Sequence, residues 1–382
     1  MKKILFDLLS SQPSGTSKFH GGGEYAKTIF KEICNYNNEE IKVIVFFNKN
    51  KFIDKWILDL IKEKNIEYVN ISKHEELLEL NIISDIDVLF AGQTGYYYNI
   101  NLPKNIKKIG VFHGLRSLEC PIDYYSYMYD EKFIDKTKSV LKYVFKYKYF
   151  NVLKNRESNS LAKFDYLIAV SEHSKYSFNI NYPNKNMDMV KVFYSPAKYV
   201  DKYNNFNKKD KKFKYILMLG GNRWIKNTYR GLLALDSLIS DQLLNDIKVI
   251  VVGKCSKKIL SKLNNLNRFK FLDYVNSDEL ETLYENCELF FYPTLNEGFG
   301  YPPLEAMRYN KTCLISNVCS LPELYKDAVY YCNPYDIMEM KIRIRTAIEN
   351  KINLEKVKIR FDEISKKQHE DLQGLCKFIV NT

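Results

Sequence analysis

The stretch that decides the fold of this chain is Asn296-Glu297-Gly298-Phe299-Gly300-Tyr301-Pro302-Pro303-Leu304-Glu305-Ala306-Met307. The apolar and aromatic run before it, Glu288–Pro293, predicts a short buried strand that ends at proline. A Pro-Pro pair suits the first turn of a helix, where a missing N–H costs nothing. The order is therefore strand, glycine-rich loop and helix, with Glu297 in the loop and Glu305 in the first turns of the helix.

This arrangement predicts a ligand site above the sheet. The loop offers backbone N–H groups, and the helix behind it adds the positive end of its dipole. Anionic or polyhydroxylated ligands bind at such places. A second interpretation stays open, in which a buried glutamate only caps its own helix.

The rest of the chain predicts two α/β domains, because 382 residues exceed the usual size of one core. Apolar runs typical of buried parallel strands alternate with helical patterns at Lys3–Leu9, Val43–Phe47, Asp87–Phe90, Lys108–Phe112 and Tyr166–Val170. After Lys198–Lys212, a polar segment that we interpret as the linker, the pattern restarts at Tyr215–Leu219, Ile247–Gly253, Lys270–Val275 and Cys313–Ser316. We expect one domain over 1–200, rejoined by a C-terminal helix over 357–382, and another over 213–356. Two such doubly wound domains leave a cleft where ligands bind.

Composition narrows the class of protein. No run approaches the roughly 18–20 apolar residues that span a bilayer. The N-terminal apolar run is broken by Asp7, so we interpret it as a strand and not as a signal peptide. The eight cysteines form no C-x-x-C pair and the five histidines no H-x-x-x-H pair, which favours a reducing cytoplasm and no metal held by the protein.

The formal charge of +12 is compatible with polyphosphorylated ligands, nucleic acid and anionic lipid. Its densest part is residues 136–156, where Lys138, Lys142 and Lys146 follow i, i+4 spacing among apolar and aromatic residues. A basic amphipathic helix of this kind suits an anionic membrane surface. The alternative is a helix that packs its apolar face on the sheet and solvates its lysines. No RNA-binding module accompanies the segment, so nucleic acid is not an expected partner.

Several loops after predicted strands carry candidate ligand groups. Gly21–Gly23, before a helix from about Glu24, can bring backbone amides close to a phosphate, and a flexible loop without ligand is the alternative. His113 directly follows a strand, where a histidine is well placed for chemistry. Arg223 and Lys226 follow the first strand of the second domain, and two fixed cations beside glycine amides are what a diphosphate leaving group needs.

Two other motifs have structural interpretations. Ser171 begins a Ser-Glu-His-Ser cluster after a strand and is interpreted as a helix N-cap. Asp85-Ile-Asp87 has the spacing often used to hold a metal–nucleotide complex. It precedes a strand, however, and so we predict that it marks the start of that strand, away from the ligand end.

Taken together, the chain resembles the family 4 glycosyltransferases, retaining enzymes of the GT-B fold. The resemblance is strongest over Tyr215–Pro334, in Gly-Gly-Asn-Arg-x-x-Lys-Asn from Gly220 and in Glu-Gly-Phe-Gly-x-Pro-Pro-Leu-Glu from Glu297. It is weaker in the first half, at Gly21–Gly23, His113 and Ser171-Glu172. Asn310 departs from the usual glycine, at a turn where asparagine tolerates a left-handed backbone. The spacing of the arginine from the lysine also departs from the family pattern.

The resemblance implies a nucleotide-diphosphate sugar as donor, bound mainly by the second domain. Glu305 would bind the ribose hydroxyls, and Glu297 would bind the hydroxyls of the donor sugar together with the amides of Gly298, Phe299 and Gly300. Arg223 and Lys226 would bind the diphosphate.

The first domain would complete the donor site. The resemblance implies that His113 contacts the sugar near its anomeric centre, and that Gly22 or Gly23 approaches the phosphate. No metal or other cofactor is implied. The acceptor would be a glycan or a lipid-linked saccharide at the cytoplasmic face of the membrane, which gives residues 136–156 a purpose.

Three other functions share some of these sequence features. A GT-B-like sugar-nucleotide epimerase shares the fold and needs no acceptor. A dinucleotide-dependent dehydrogenase is disfavoured, because no predicted strand is followed by G-x-G-x-x-G with an acidic residue downstream. A nucleic-acid-binding protein would use the positive charge and show salt-dependent binding. The donor sugar, the nucleotide and the acceptor are not encoded in these motifs.

Overall fold

The computed structural model describes residues 1–13, 20–36, 40–197, 213–350 and 352–382, and the expected linker Lys198–Lys212 lies outside these ranges. The chain divides into two compact units. Unit 1 comprises Met1–Leu115, Val152–Lys202 and Ser365–Thr382, and unit 2 comprises Arg116–Asn151 and Tyr203–Ile364. Each unit contains one parallel sheet with helices.

The strands of unit 1 are β1 (Lys2–Asp7), β2 (Ile41–Phe47), β3 (Glu67–Asn70), β4 (Val88–Ala91), β5 (Lys107–Phe112), β6 (Tyr166–Ala169) and β7 (Val190–Val192). They are parallel and lie in the order β3-β2-β1-β4-β5-β6-β7. The register pairs Ile4 of β1 with Val43 of β2 on one side and with Val88 of β4 on the other.

The strands of unit 2 are β8 (Lys214–Leu219), β9 (Ile247–Val252), β10 (Phe269–Leu272), β11 (Leu289–Tyr292), β12 (Thr312–Ser316) and β13 (Tyr330–Cys332). They are also parallel, in the order β10-β9-β8-β11-β12-β13. All four residues of β11 are fully buried, as expected for a parallel strand covered on both faces.

Both sheets reverse their strand order beside their first strand, between β1 and β4 in unit 1 and between β8 and β11 in unit 2. Ligands of open α/β sheets bind outside the carboxyl ends of the strands at this switch point. In unit 2 the loops that follow β8 and β11 carry Lys226 and Glu297. The topology therefore places the two decisive loops side by side, and the expected class of two doubly wound α/β domains is confirmed.

The helices are α1 (Gly21–Asn35), α2 (Lys55–Glu63), α3 (Arg116–Glu119), α4 (Phe133–Val144), α5 (Lys146–Leu161), α6 (Glu172–Asn181), α7 (Thr228–Ser240), α8 (Lys257–Leu260), α9 (Ser277–Asn286), α10 (Tyr301–Arg308), α11 (Leu321–Tyr325), α12 (Ile337–Glu349) and α13 (Leu354–Asn381). None in the described part of the chain is long and apolar enough to span a membrane.

Several sequence expectations are corrected in detail. The strands β3, β7 and β13 were not predicted. Helix α1 begins at Gly21 and not near Glu24, because the His20 ring accepts a hydrogen bond from the Gly23 amide and caps the helix. The basic segment 136–156 is not one helix, since α4 ends before Phe145 and α5 begins after it. Lys146 therefore does not share a helix with Lys138 and Lys142.

The structure groups residues 116–151 with unit 2, whereas we expected them in the domain 1–200. The physical reason is a buried ion pair, in which Arg230 of α7 donates to both carboxylate oxygens of Asp123 at 3.0 and 2.9 Å. The C-terminal part that joins unit 1 is Ser365–Thr382, shorter than the expected 357–382.

Smaller structural interpretations are confirmed. Ser171 caps α6 by accepting from the Ser174 amide. Asp87 accepts from the Lys3 amide at 2.7 Å at the start of β4, away from the carboxyl ends of the strands. Asn310 adopts the expected left-handed backbone, with a φ of 53°.

Candidate active site

The loop after β8 is shaped by close glycine packing. Gly220 has a φ of +89°, and a Cβ atom there would lie 2.5 Å from Cγ of Lys226. A Cβ atom on Gly221 would lie 2.1 Å from the carbonyl oxygen of Gly253, which follows β9. Side chains larger than hydrogen cannot fit at these positions. The glycines thus let the stem of Lys226 pack directly over the end of β8.

Lys226 and Glu297 form an ion pair with 2.5 Å between Nζ and Oε1, and each side chain is only 12% exposed. The hydroxyl of Tyr292, the last residue of β11, donates to the same Oε1 at 2.6 Å and accepts from Lys226. Oγ1 of Thr294 lies 3.1 Å from this oxygen. The other carboxylate oxygen, Oε2, takes part in none of these contacts. The loops after β8 and β11 are therefore joined by one charged cluster.

Burial and the neighbouring charges together determine the protonation state of each member of this cluster. Burial raises the pKa of Glu297, but the charge of Lys226 and hydrogen bonds from Lys226 and Tyr292 outweigh burial and hold it below its usual value. Burial lowers the pKa of Lys226, partly opposed by the carboxylate of Glu297. Burial and the same carboxylate raise the pKa of Tyr292 well above its usual value, so it stays a neutral donor. Glu297 is accordingly ionised at neutral pH.

The glycine-rich loop is fixed by contacts with α11 and with Ser320, the residue before α11. Oγ of Ser320 lies 3.1 Å from the carbonyl oxygen of Glu297 and 3.0 Å from that of Phe299. Gly300 has a φ of +97°, caps α10, and accepts from the hydroxyl of Tyr325 through its carbonyl. A Cβ atom on Gly300 would lie 2.5 Å from a methyl group of Leu321. This anchoring fixes the carbonyl groups of Glu297, Phe299 and Gly300 against buried hydroxyl groups.

Glu305 lies in the second turn of α10 and is half-buried. The buried Tyr284 of α9 donates its hydroxyl to Oε2 of Glu305 at 2.8 Å. The carboxylate therefore has a fixed orientation on a rigid helix. Pro302 and Pro303 occupy the first turn of α10, as the sequence predicts.

Arg223 occupies an exposed position in the turn after β8, and its amide donates to the carbonyl of Gly220 at 3.1 Å. Its guanidinium is near enough to lower the pKa of both Lys226 and Glu297. Unit 2 thus brings together Arg223, Lys226 and Glu297, with Glu305 on the helix that follows.

In unit 1, His113 follows β5, and its Nε2 lies 2.9 Å from the carbonyl oxygen of Gly92, which follows the neighbouring β4. The tautomer that donates from Nε2 fits this contact, and the Tyr25 ring packs edge-on with ring centroids 4.9 Å apart. Burial lowers the pKa of His113 to about 4, so its imidazole is neutral at pH 7.

The other two predicted residues of unit 1, Gly22 and Gly23, lie in the first turn of α1 after β1. A Cβ atom on Gly22 would lie 3.0 Å from the side chain of Gln93, and one on Gly23 2.8 Å from the carbonyl of Ser11. The Gly23 amide donates to the His20 ring. Close packing therefore accounts for both glycines, and their contact with a phosphate stays a prediction.

Sequence reasoning missed the role of three hydroxyl groups, those of Tyr292, Thr294 and Ser320. Tyr292 was interpreted only as part of a buried strand. The available signal was a phenol at the last position of an apolar run, five residues before Glu297. Buried hydroxyl groups need partners, and a charged pair at the strand end supplies them.

Tyr292→Phe should lower kcat/KM for sugar transfer about ten-fold. The substitution keeps the ring but removes the hydrogen bonds of the hydroxyl with Lys226 and Glu297. A hydrogen bond to a charged group contributes about 1.5–3 kcal/mol. Tyr331→Phe is the matched control, because the Tyr331 hydroxyl is buried without a hydrogen-bond partner among the described residues. Steady-state kinetics on both variants tests this prediction. Equal kcat/KM values for the two variants would show that the Tyr292 hydroxyl does not contribute to transfer.

His113 should make unfolding depend on pH in acid. The unfolded imidazole takes up a proton below about pH 6.5, whereas the folded one does so only near pH 4. The contribution of His113 to the unfolding free energy therefore decreases as pH falls from 6.5 to 4. Urea titrations should show a weaker decrease in His113→Gln than in wild type. The exposed His369→Gln serves as control, and a pH dependence in His113→Gln equal to that of wild type contradicts the assignment.

Comparison with known proteins gives a family match in the second half of the chain. Residues 200–368 match the family model described as "Glycosyl transferases group 1", and the range includes Lys226, Glu297 and Glu305. The matched range is less than half of the chain and lies mostly in unit 2, which therefore carries a group 1 glycosyltransferase region.

Two relatives are bacterial mannosyltransferases by name. The chain is 45% identical over 73 residues to the serotype-specific mannosyltransferase WbdA of Escherichia coli, which covers 19% of this chain and 9% of WbdA. It is 26% identical over 182 residues to the O-antigen chain mannosyltransferase RfbU of Salmonella typhimurium, covering 46% of this chain and 49% of RfbU. The matches thus span about half of one relative and under a tenth of the other.

Among solved structures, the chain is similar to Anabaena Alr3699/HepE in complex with UDP and glucose, with a TM-score of 0.67 and full coverage of both chains. The sequence identity is 15%. At this identity the likeness establishes the fold alone.

Proposed function

We propose that the chain is a retaining hexosyltransferase, which moves a sugar from a nucleotide-diphosphate donor to a glycan or lipid-linked saccharide during surface polysaccharide synthesis. The observation that carries the proposal is the Lys226–Glu297–Tyr292 cluster at the switch point of unit 2, with Glu305 fixed eight residues further on. The two named mannosyltransferase relatives support transfer over the epimerase alternative, and they favour a mannosyl donor.

The chemistry follows from the charges. Transfer passes through an oxocarbenium-like transition state from which a nucleoside diphosphate departs, so the site must stabilise the leaving group more than it must supply a strong base. Lys226 and Arg223 provide cations at the carboxyl end of β8, where the loops partly exclude water. Because these side chains supply fixed cationic hydrogen-bond donors, we expect transfer to need no metal and to be unaffected by EDTA.

Glu297 has a positioning role in this proposal. Its Oε1 is occupied by Lys226, Tyr292 and Thr294, so sugar hydroxyls would be accepted by Oε2. Glu305 would accept the ribose hydroxyls, with its orientation fixed by Tyr284. Retention would come from attack of the acceptor hydroxyl on the face of the sugar from which the diphosphate leaves. The bond from the anomeric carbon to the diphosphate breaks as the new glycosidic bond forms, the leaving phosphate takes the hydroxyl proton, and no covalent adduct forms on Glu297. His113 of unit 1 would contact the sugar as a neutral hydrogen-bonding group.

The test is product analysis with a panel of nucleotide sugars, beginning with mannosyl donors, with and without saccharide acceptors. The proposal predicts a new glycosidic bond with the anomeric configuration of the donor, as seen by NMR. Isomerised nucleotide sugar in the absence of acceptor would establish the epimerase alternative instead. Glu297→Gln that binds donor normally and turns over normally would refute a role of Glu297 in transfer.

A surface on α4 suits the membrane where a lipid-linked acceptor would lie. None of the residues of α4 is buried. Phe133, Ile134, Val140, Leu141 and Val144 share one face at i, i+1, i+7, i+8 and i+11, and Phe133 is 82% exposed. Helical spacing places Lys136 on one side of this stripe and Lys138 on the other. We therefore propose that α4 lies on an anionic leaflet at the cytoplasmic face, with the stripe in the interface.

Flotation with liposomes tests this surface. Wild type should bind phosphatidylglycerol vesicles more strongly than phosphatidylcholine vesicles, and Phe133→Ser/Val144→Ser should reduce binding at least ten-fold, since each buried apolar side chain contributes about 1.5–3 kcal/mol. Ile180→Ser, which removes a side chain 80% exposed on α6, is the matched control. Absence of flotation, or equal flotation of both variants, contradicts the proposal.

A further inference from the structure

The segment between β5 and α4 packs on unit 2 through a series of specific contacts. We call residues 116–130 the strap. Its centre is fixed by Asp123, whose carboxylate binds the guanidinium of Arg230 with two hydrogen bonds, and both side chains are 8% exposed. The Arg230 guanidinium also lies over the Tyr125 ring of the strap, 4.6 Å from its centroid. A buried bidentate arginine–carboxylate pair of this kind fixes the orientation of both side chains.

The far end of the strap is also fixed. The hydroxyl of Tyr129 accepts from the amide of Tyr229 in the first turn of α7 at 2.8 Å. Oγ of Ser256, before α8, donates to the carbonyl of Met128 at 2.5 Å. The strap is therefore attached to unit 2 over its length and does not depend on one contact.

The near end of the strap contacts the two loops of the candidate active site. Oε2 of Glu119 accepts from the side-chain amide of Asn296 at 2.5 Å, directly beside Glu297. Cys120 packs in a buried apolar cluster with Ile225 and Leu295. Ile225 precedes Lys226, and Leu295 is two residues before Glu297.

Arg116 begins α3, one helical turn before these contacts. The Cys120 amide donates to the carbonyl of Arg116 at 2.9 Å, which fixes the backbone of Arg116 relative to the cluster. The Arg116 side chain is exposed, and its charge lowers the pKa of Lys226, as the charge of Arg223 does. Together with the contacts of Glu119 and Cys120, this places Arg116 at the end of the strap that borders the loops of Lys226 and Glu297.

The charges at the site call for a further cation. The Glu297 carboxylate neutralises the charge of Lys226, because the two form a close ion pair of low exposure. Of the two predicted phosphate-binding residues, only Arg223 then adds net positive charge. A nucleoside diphosphate carries two or three negative charges at neutral pH, and a second arginine would balance them.

We propose that Arg116 is a further binding residue of the donor site, which the strap brings to the Lys226–Glu297 pair to contact the diphosphate of the nucleotide. The inference rests on the proposed function. It makes the start of the strap part of the phosphate site of unit 2, with Asp123 and Arg230 as positioning residues.

Calorimetric titration of Arg116→Met with UDP, GDP and the corresponding nucleosides tests the inference. Methionine keeps the apolar stem and removes the charge, so the dissociation constant for the diphosphate that wild type binds should rise about ten-fold. Binding of the nucleoside, which lacks phosphates, should not change. Arg116→Lys should recover most of the lost affinity. Arg343→Met, on the exposed side of α12 beside Glu339, controls for net charge.

The outcomes separate the two proposals. If wild type binds a diphosphate and Arg116→Met binds it equally well, the inference is overturned while the proposed function stands. Equal losses for nucleoside and diphosphate would show that Arg116 only supports the fold, and would also overturn it. If wild type binds no nucleoside diphosphate or nucleotide sugar, the proposed function fails and the inference fails with it.

Discussion

Lys226→Met should reduce kcat/KM for sugar transfer by about 10²–10³-fold. We propose Lys226 as a cation that stabilises the leaving group, and removing one fixed electrostatic contact of this type costs about 3–4 kcal/mol of barrier. The variant also leaves Glu297 in a mostly buried position without its ion-pair partner. Steady-state kinetics with the nucleotide sugar that wild type uses makes the measurement.

The loss of activity must be separated from a loss of stability. Breaking a buried ion pair by removing one partner destabilises a protein, so Lys226→Met alone should unfold at lower urea concentration. The double variant Lys226→Met/Glu297→Gln removes the unpaired charge and should recover much of that stability without recovering activity. Lys257→Met, an exposed position in α8, is the matched control. Activity of Lys226→Met within three-fold of wild type would contradict the role of Lys226.

Arg230→Met should lower the unfolding free energy of unit 2 by about 3–5 kcal/mol. The substitution leaves the buried carboxylate of Asp123 without the two N–H donors of the Arg230 guanidinium. An unpaired charge at a buried position strongly destabilises the folded state. Trp224 lies in unit 2 and Trp56 in unit 1. Urea unfolding in a Trp56→Phe background therefore reports the second unit through Trp224 fluorescence.

The double variant Arg230→Met/Asp123→Leu supplies the control. It removes both charges, so its unfolding free energy should lie closer to wild type than that of Arg230→Met. Arg343→Met, which removes an exposed partner of Glu339 on α12, should change stability by less than about 1 kcal/mol. A comparably small effect for Arg230→Met would show that the strap is not anchored through this pair.

The sequence predicted the parts of the fold that rest on strong local patterns. Strands such as β8 and β11 are continuous apolar runs, because both of their faces are covered, and the loops after them are marked by glycine and proline. By contrast, β3 is mostly exposed and has no apolar run to reveal it. The short β7 and β13 have only three residues each, too few to form a pattern.

The candidate site was predictable where residue type and position both mattered. Lys226 and Glu297 follow adjacent strands, and the structure brings their charges together. The pairing itself was not anticipated, since the sequence favoured separate contacts of each residue with the donor. The Asp123–Arg230 pair joins positions 107 residues apart, and no local pattern announces a contact of that range.

The break in the basic segment 136–156 was also not predictable from a local sequence pattern. The lysine spacing and apolar residues predicted one helix, but Phe145 leaves the helical backbone and separates α4 from α5. No proline or glycine marks this position. The apolar stripe remains on α4, and there it is exposed rather than packed on the sheet.

The central claim is that the charged cluster between the loops after β8 and β11 binds a nucleotide-diphosphate sugar. The most direct measurement is the shift in thermal unfolding temperature on adding the nucleotide sugar that wild type uses, because a ligand stabilises the fold that binds it. We predict a clear upward shift for wild type and almost none for Lys226→Met/Glu297→Gln. An equal shift in both proteins would contradict the account.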